Sequence, residues 1–105
     1  MNSLISPTIT TLEICEMMNM RHDRILRKLE GQELKGKHVK GIIEILNDNQ
    51  MVAVDYFIKS VYIDKKGEER SCYKVTRLGC DFLANKFNGE KGIIFTAKYV
   101  KRFHE

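Results

Sequence analysis

The sequence MNMRHDRILRKLEG, residues 18–31, combines apolar and cationic side chains at helical spacing. Its apolar side chains are Ile25, Leu26 and Leu29, and its strongly basic ones are Arg21, Arg24, Arg27 and Lys28. At about 100° per residue the apolar group lies on one side of a helix with His22, and all the cations except Arg21 project from the other. The pattern predicts a helix that begins within residues 20–22. Its basic side is either a solvated charged surface or a surface that binds an anionic partner.

A second helix is predicted immediately before this one. Residues 10–13, TTLE, have the form of a capping box, in which Thr10 accepts from the Glu13 backbone N–H and the Glu13 side chain reaches back. An apolar face follows at helical spacing and consists of Leu12, Ile14, Cys15 and Met18. Asn19 marks the turn, because Asn tolerates the left-handed conformation that ends helices. This is the spacing of a helix-turn-helix, although Lys28 stands where an apolar residue is usual, which predicts a slight rotation of the second helix.

The middle of the chain is less regular. Residues 31–41 are polar and punctuated by glycine, and residues 42–54, IIEILNDNQMVAV, fit a strand, a buried helical turn or both. Residues 55–64 and 70–76 are rich in aromatic and β-branched side chains and flank a polar loop that contains Gly67. These two segments predict a β-hairpin.

Two further helices are predicted near the C-terminus. Thr76 is the expected N-cap of a helix over residues 77–87, whose apolar stripe is Leu78, Phe82 and Leu83. Asn88-Gly89 marks the next turn, and a final helix covers residues 91–105. One face of that helix carries Ile93, Ala97 and Val100, and another carries Lys91, Phe95, Lys98 and Arg102. Together these elements predict an α+β fold, a winged helix-turn-helix, as a single domain over residues 1–105.

Positive charge is concentrated in one segment. The formal net charge is +4, and residues 21–40 hold seven Lys or Arg against three acids, which equals the whole excess. Such a segment is compatible with a nucleic-acid partner. No stretch is apolar enough to span a membrane, and the N-terminal MNSLISPTIT lacks the regions of a signal peptide, so a cytoplasmic protein is expected.

Catalysis and metal binding have little support in the sequence. The three cysteines, Cys15, Cys72 and Cys80, are odd in number and lack CxxC spacing, so we expect small buried apolar residues rather than disulfides or a zinc site. There is no nucleophile elbow, glycine-rich phosphate loop or HExxH motif. We therefore expect no enzyme, no catalytic residue, no metal and no cofactor. His22 is expected to pack or cap, oriented by Asp23.

Two groups of residues are candidates for binding. The candidate DNA-binding residues are Arg21, Arg24, Arg27, Lys28, Lys65 and Lys66. Arg pairs bidentately with guanine and Lys neutralises phosphate, whereas the two lysines at the hairpin tip either contact phosphate or only solubilise the tip. The candidate protein interface is Lys91, Phe95, Lys98 and Arg102, a basic stripe with one aromatic residue. Its alternative is a half-exposed amphipathic face.

Two long collinear segments resemble a known family. Residues 10–31, TTLEICEMMNMRHDRILRKLEG, and residues 62–103, YIDKKGEERSCYKVTRLGCDFLANKFNGEKGIIFTAKYVKRF, closely resemble the phage regulatory protein Rha family, which includes N-terminal domains of phage antirepressors. The resemblance is firmest over residues 10–31 and 56–103, and residues 35–54 depart from the shorter members. The chain stops inside a helical pattern, and longer members carry a separate C-terminal domain, so we expect part of a longer protein.

The resemblance implies a prophage-borne regulator in a bacterial host cell, and it leaves two functions open. In the first, a transcription factor inserts residues 21–29 into the major groove of double-stranded DNA. In the second, an antirepressor holds a phage repressor off its operator by protein contacts and does not bind DNA. A homodimer is a further expected partnership.

Overall fold

The predicted capping box starts the first helix. In the computed structural model, which describes residues 7–104, Thr10 Oγ1 accepts from the Glu13 backbone N–H at 3.2 Å, and Glu13 Oε1 accepts from the Thr10 N–H at 3.3 Å. A short strand β1, Thr8–Thr10, leads into α1, Thr11–Met18. Asn19 ends the helix in the left-handed conformation, with φ 51° and ψ 50°. Helix α2 follows at once over His22–Glu30 with Arg21 as its N-cap residue, so the predicted pair of helices and their turn are confirmed.

The segment after α2 is a second hairpin that the sequence pattern did not predict. Strands β2, Gly31–Leu34, and β3, Lys37–Lys40, pair antiparallel. Lys35 and Gly36 both have positive φ, 51° and 78°, which suits a two-residue hairpin turn. Helix α3, Ile42–Asp48, and a 3₁₀ turn, Ala53–Asp55, come next, so the ambiguous residues 42–54 are mainly helical.

The predicted large hairpin is confirmed. Strands β4, Phe57–Ile63, and β5, Glu69–Thr76, pair antiparallel, with Phe57 opposite Val75. Strand β1 adds to the other side of β5, which gives a three-stranded sheet in the order β1–β5–β4. Thr76 Oγ1 then accepts from the Gly79 N–H at 3.1 Å and caps α4, Arg77–Ala84. Helix α5, Gly89–Phe103, completes the domain.

The core lies between the three-stranded sheet and the helices. Its fully buried apolar side chains are Ile9, Ile14, Ile25, Leu29, Val75, Cys80, Leu83 and Phe95. All three cysteines are buried and unpaired, as expected. Leu78 is an exception to the predicted stripe of α4, since it is 55% exposed while Gly79, Cys80 and Leu83 face the core. The fold is α+β, as predicted.

One ionisable cluster joins the β2–β3 hairpin to α3. His38 Nδ1 lies 2.6 Å from Glu33 Oε2, and His38 Nε2 lies 2.7 Å from Glu44 Oε1. Hydrogen bonds to Glu44 and Glu33 raise the pKa of His38 above its ordinary value of 6.5. Only the imidazolium can donate from both ring nitrogens, so the charged form holds the hairpin against α3.

This cluster predicts a pH-dependent hairpin. Below pH 6.5 His38 is protonated in both the folded and the unfolded chain, so its contribution to stability is complete. That contribution is lost as the pH rises above 6.5 through the raised folded-state pKa. We expect an NMR titration of the His38 ring to show a midpoint above 6.5, and Glu44→Gln, which retains the cap on Gly41, to lower it. A titration midpoint at or below 6.5 for His38 in the parent protein would contradict this role of the charged ring.

Candidate nucleic-acid interface

The outward face of α2 carries exposed cations over a buried apolar face. Ile25 and Leu29 are fully buried, which fixes the rotation of the helix. Arg24, Arg27 and Lys28 are all exposed and line one shallow surface with Gln32. The predicted helical phase is therefore correct, and these side chains can meet a partner without any change in the core.

Asp23 divides these cations into two classes. Its carboxylate pairs with Arg21 Nε at 3.1 Å and with Arg27 Nη2. Burial alone would raise the pKa of Asp23, but the two neighbouring guanidinium groups lower it, so the carboxylate stays ionised. Within residues 7–104, neither Arg24 nor Lys28 belongs to an ion pair, and the Lys28 ammonium instead lies 6.0 Å from the centre of the Phe87 ring. Arg24 and Lys28 therefore present the least compensated charge.

The tip of the β4–β5 hairpin, residues 64–68, is an ordered turn with two projecting lysines. Asp64 Oδ1 accepts from the backbone N–H groups of Lys66 and Glu68, each at 2.9 Å, and Gly67 has a φ of +81°. Lys65 and Lys66 are exposed, and their backbone is held by this turn rather than by their own side chains. Arg70, which the sequence did not single out, is instead paired with Asp64 at 2.8 Å.

Several long-range contacts fix α2 against this hairpin. At the start of α2, the His22 ring meets the Tyr62 ring edge to face, with centroids 5.8 Å apart. At its end, Tyr73 Oη donates to Glu30 Oε2 at 2.9 Å. The helix and the hairpin flank a polar groove lined by Arg21, Asp23, Tyr62, Arg70 and neighbours. These contacts join the inward side of α2 to the hairpin, so both ends of the helix are held in place.

Thr11 is fully buried and links α1 to both the hairpin and α2. Its side-chain oxygen accepts from the Tyr73 backbone N–H at 3.2 Å and lies 2.8 Å from His22 Nε2. Burial lowers the pKa of His22, while Asp23 and Glu30 oppose the shift. A neutral imidazole and the Thr11 hydroxyl form this hydrogen bond in either direction, according to which ring nitrogen carries the proton. His22 is therefore a packed residue, as expected, but Thr11 and Tyr62 orient it rather than Asp23.

His22 should contribute to stability and not to metal binding. We expect His22→Ala to lower the melting temperature by about 5–10 °C, because it removes a partly buried hydrogen bond and an aromatic contact. Added zinc should leave the melting temperature of the parent unchanged. A clear rise with zinc would contradict this role, since a ligand that binds only the folded state must stabilise it.

The stripe predicted as a protein interface packs largely against the domain itself. Phe95 is fully buried between the rings of Phe87 and Tyr99, so it cannot contact a partner. Lys98 Nζ donates to the Met17 carbonyl at 3.0 Å, and Arg102 Nε pairs with Glu13 Oε2 at 3.0 Å. Of the expected interface of Lys91, Phe95, Lys98 and Arg102, only Phe95 is withdrawn, because it is buried. Lys91 and Lys98 are exposed, and a partner contact at this stripe stays a prediction.

Burial keeps two of the three thiols protonated, and the part that the structure describes groups no metal ligands. Burial raises the pKa of the Cys15 thiol to about 11 and that of Cys80 to about 12. Thiols with such pKa values are poor nucleophiles at neutral pH. Among residues 7–104, no three His, Cys, Asp or Glu side chains are grouped to hold a metal ion. None of the helices described there is long and apolar enough to cross a membrane.

Comparison with known proteins decides the family. The model of the family described as phage regulatory protein Rha matches residues 9–105. The chain belongs to the phage regulatory protein Rha family. The predicted resemblance is thereby confirmed, and the match extends beyond it, since it also covers residues 35–54.

One relative of this chain is named as a prophage-derived protein. This Rha-family chain is 35% identical over 97 residues to the protein named "SPbeta prophage-derived putative antirepressor protein YoqD" of Bacillus subtilis (strain 168). The match covers 92% of the chain and 35% of that relative, so the chain spans about a third of its length. No solved structure matches the chain.

Proposed function

We propose that this Rha-family chain is a winged helix-turn-helix regulator that binds double-stranded DNA in the cytoplasm of a bacterial host and catalyses no reaction. In this proposal α2 enters the major groove, and the hairpin tip contacts the phosphate backbone as the wing. Arg24 and Lys28 make the first contacts, while Arg21 and Arg27 exchange their bonds to Asp23 for bonds to phosphate. Control of transcription at a phage operator would follow from this binding.

The observation that carries the proposal is the exposed basic face of α2. Arg24 and Lys28 have no carboxylate partner within residues 7–104, and Ile25 and Leu29 on the opposite face of the same helix are fully buried. A short helix after a tight turn, with cations outward, has the arrangement that helix-turn-helix proteins use in the major groove. The ordered tip with Lys65 and Lys66 fits a phosphate contact, although Glu68 and Glu69 reduce its positive charge.

A second candidate function is protein-based antirepression. The name of the Bacillus subtilis relative supports it for this chain, and so does the apolar surface on α4 and α5, where Ile93 is 71% exposed. In this alternative the chain captures a phage repressor and does not bind DNA. The two functions use different faces of the domain, so they can be separated by experiment.

The test compares two titrations of the same protein. Fluorescence anisotropy is measured at low salt with duplex DNA from the phage control region, and separately with the phage's own repressor. We expect saturable binding to this duplex. An unlabelled duplex of shuffled sequence should compete for the protein less well than the unlabelled control-region duplex. Binding to the repressor without affinity for any duplex would reject the proposal and support the antirepressor alternative.

A further inference from the structure

An open apolar groove runs between the end of α4 and the outer face of α5. Its volume is about 710 Å³, and its apolar or small lining residues include Ala84, Phe87, Gly92, Ile93, Ala97 and Val100. Ile93 is 71% exposed, more than any other large apolar side chain in the described part of the chain. An exposed apolar surface of this kind is typical of a protein interface.

The outer face of α5 has the spacing of a helix that packs on another helix. Ile93, Ala97 and Val100 recur at alternating intervals of four and three residues, the heptad spacing of coiled coils. Ile93 projects beside the groove, and the small side chain of Ala97 leaves space next to it. A surface that holds both the projecting residue and the space for it is self-complementary, as a two-fold interface requires.

Two charged residues near the ends of α5 are also self-complementary. Glu90 lies near the start of α5 and Lys101 near its end, and both are exposed. Neither forms an ion pair with any residue between 7 and 104. If two α5 helices pack antiparallel with Ile93 against the partner's Ala97, Glu90 lies beside the partner's Lys101. In this antiparallel arrangement the two helix dipoles also point in opposite directions, so that they attract each other.

We propose that the chain forms a homodimer in which the α5 helices of two copies pack antiparallel across this groove. The Ile93 side chain of each copy fills the groove of the other, and Glu90 and Lys101 pair at both ends. A second copy fits better than an unrelated protein because one surface carries both the projecting Ile93 and the opposite charges of Glu90 and Lys101. The proposal does not depend on DNA binding, since it uses neither α2 nor the hairpin tip.

Sedimentation velocity over a range of protein concentrations tests the dimer. We expect reversible dimerisation of the parent, and Ile93→Glu should weaken the association constant by about a hundredfold or more, because two apolar contacts are lost per dimer. Ile45→Glu is the matched control, since Ile45 is a half-exposed isoleucine on α3 and lies outside the groove. It should dimerise like the parent. Melting curves at low concentration check that both variants fold.

Charge reversal tests the antiparallel register. Glu90→Lys or Lys101→Glu alone should weaken association by about tenfold, and the double reversal should restore it. A parent that stays monomeric at millimolar concentration would overturn the proposal, even if Ile93→Glu abolished binding to a phage repressor. Dimerisation that is unchanged by Ile93→Glu, or reversals that do not compensate, would also overturn it.

Discussion

Reversing two charges on α2, by Arg24→Glu with Arg27→Glu, should weaken binding to duplex DNA by at least about a hundredfold. Each reversal removes a contact with phosphate or a base edge and adds repulsion from the DNA backbone. Both side chains are exposed and lie opposite the buried Ile25 and Leu29. The melting temperature should therefore stay within a few degrees of the parent, with a small loss from the Arg27–Asp23 pair.

A matched variant separates the local effect from the change in net charge. Arg77→Glu with Lys91→Glu alters the net charge by the same amount, and both of its side chains are exposed on other elements, α4 and α5. We expect it to reduce affinity only slightly at moderate salt. Equal losses in the two variants would show that DNA attraction depends on overall charge. Aggregation of the α2 variant would mean that this face is buried.

Removing the Phe95 ring should have the largest effect on stability. Phe95 is fully buried, with its ring centre 4.9 Å from that of Tyr99 and 5.4 Å from that of Phe87. Large-to-small substitution of a buried aromatic residue costs about 3–5 kcal/mol through lost burial and the cavity that remains. Because native domains are stable by only about 5–15 kcal/mol, Phe95→Ala should bring this one close to unfolding.

The Phe95 experiment also tests the orientation of α5. Urea unfolding followed by circular dichroism should show a large loss for Phe95→Ala, a smaller loss for Phe95→Leu, and a change within about 0.5 kcal/mol for Lys98→Ala. If Phe95→Ala unfolded like the parent, the phenyl ring would lie at the surface. Lys91, Phe95, Lys98 and Arg102 would then form one exposed stripe.

Local signals were sufficient for much of the fold. The capping box at Thr10, the left-handed Asn19 and the cap at Thr76 each involve hydrogen bonds between residues only a few positions apart. The rotation of α2 followed from Ile25 and Leu29, because its apolar and charged faces are clearly separated. The exposure of the basic residues on α2 was therefore predictable from the sequence.

Other features depended on contacts that leave no local pattern. Thr11 bonds the Tyr73 backbone N–H, 62 positions away, and Tyr73 reaches Glu30, 43 positions away. The β2–β3 hairpin was missed because its turn is Lys35-Gly36 rather than the usual Asn-Gly. On α5 both faces hold apolar residues, so only packing against α1 and α4 decides that Phe95 is inside and Ile93 outside.

The salt dependence of DNA affinity tests the function of α2 most directly. Binding of duplex DNA by α2 releases counterions, so the logarithm of the association constant should fall linearly with the logarithm of salt concentration. Lys28→Ala should reduce that slope by about one unit, whereas Lys91→Ala should leave it unchanged. A slope that is equal in the parent and in Lys28→Ala, or the absence of DNA binding at low salt, would contradict the proposal that α2 binds DNA.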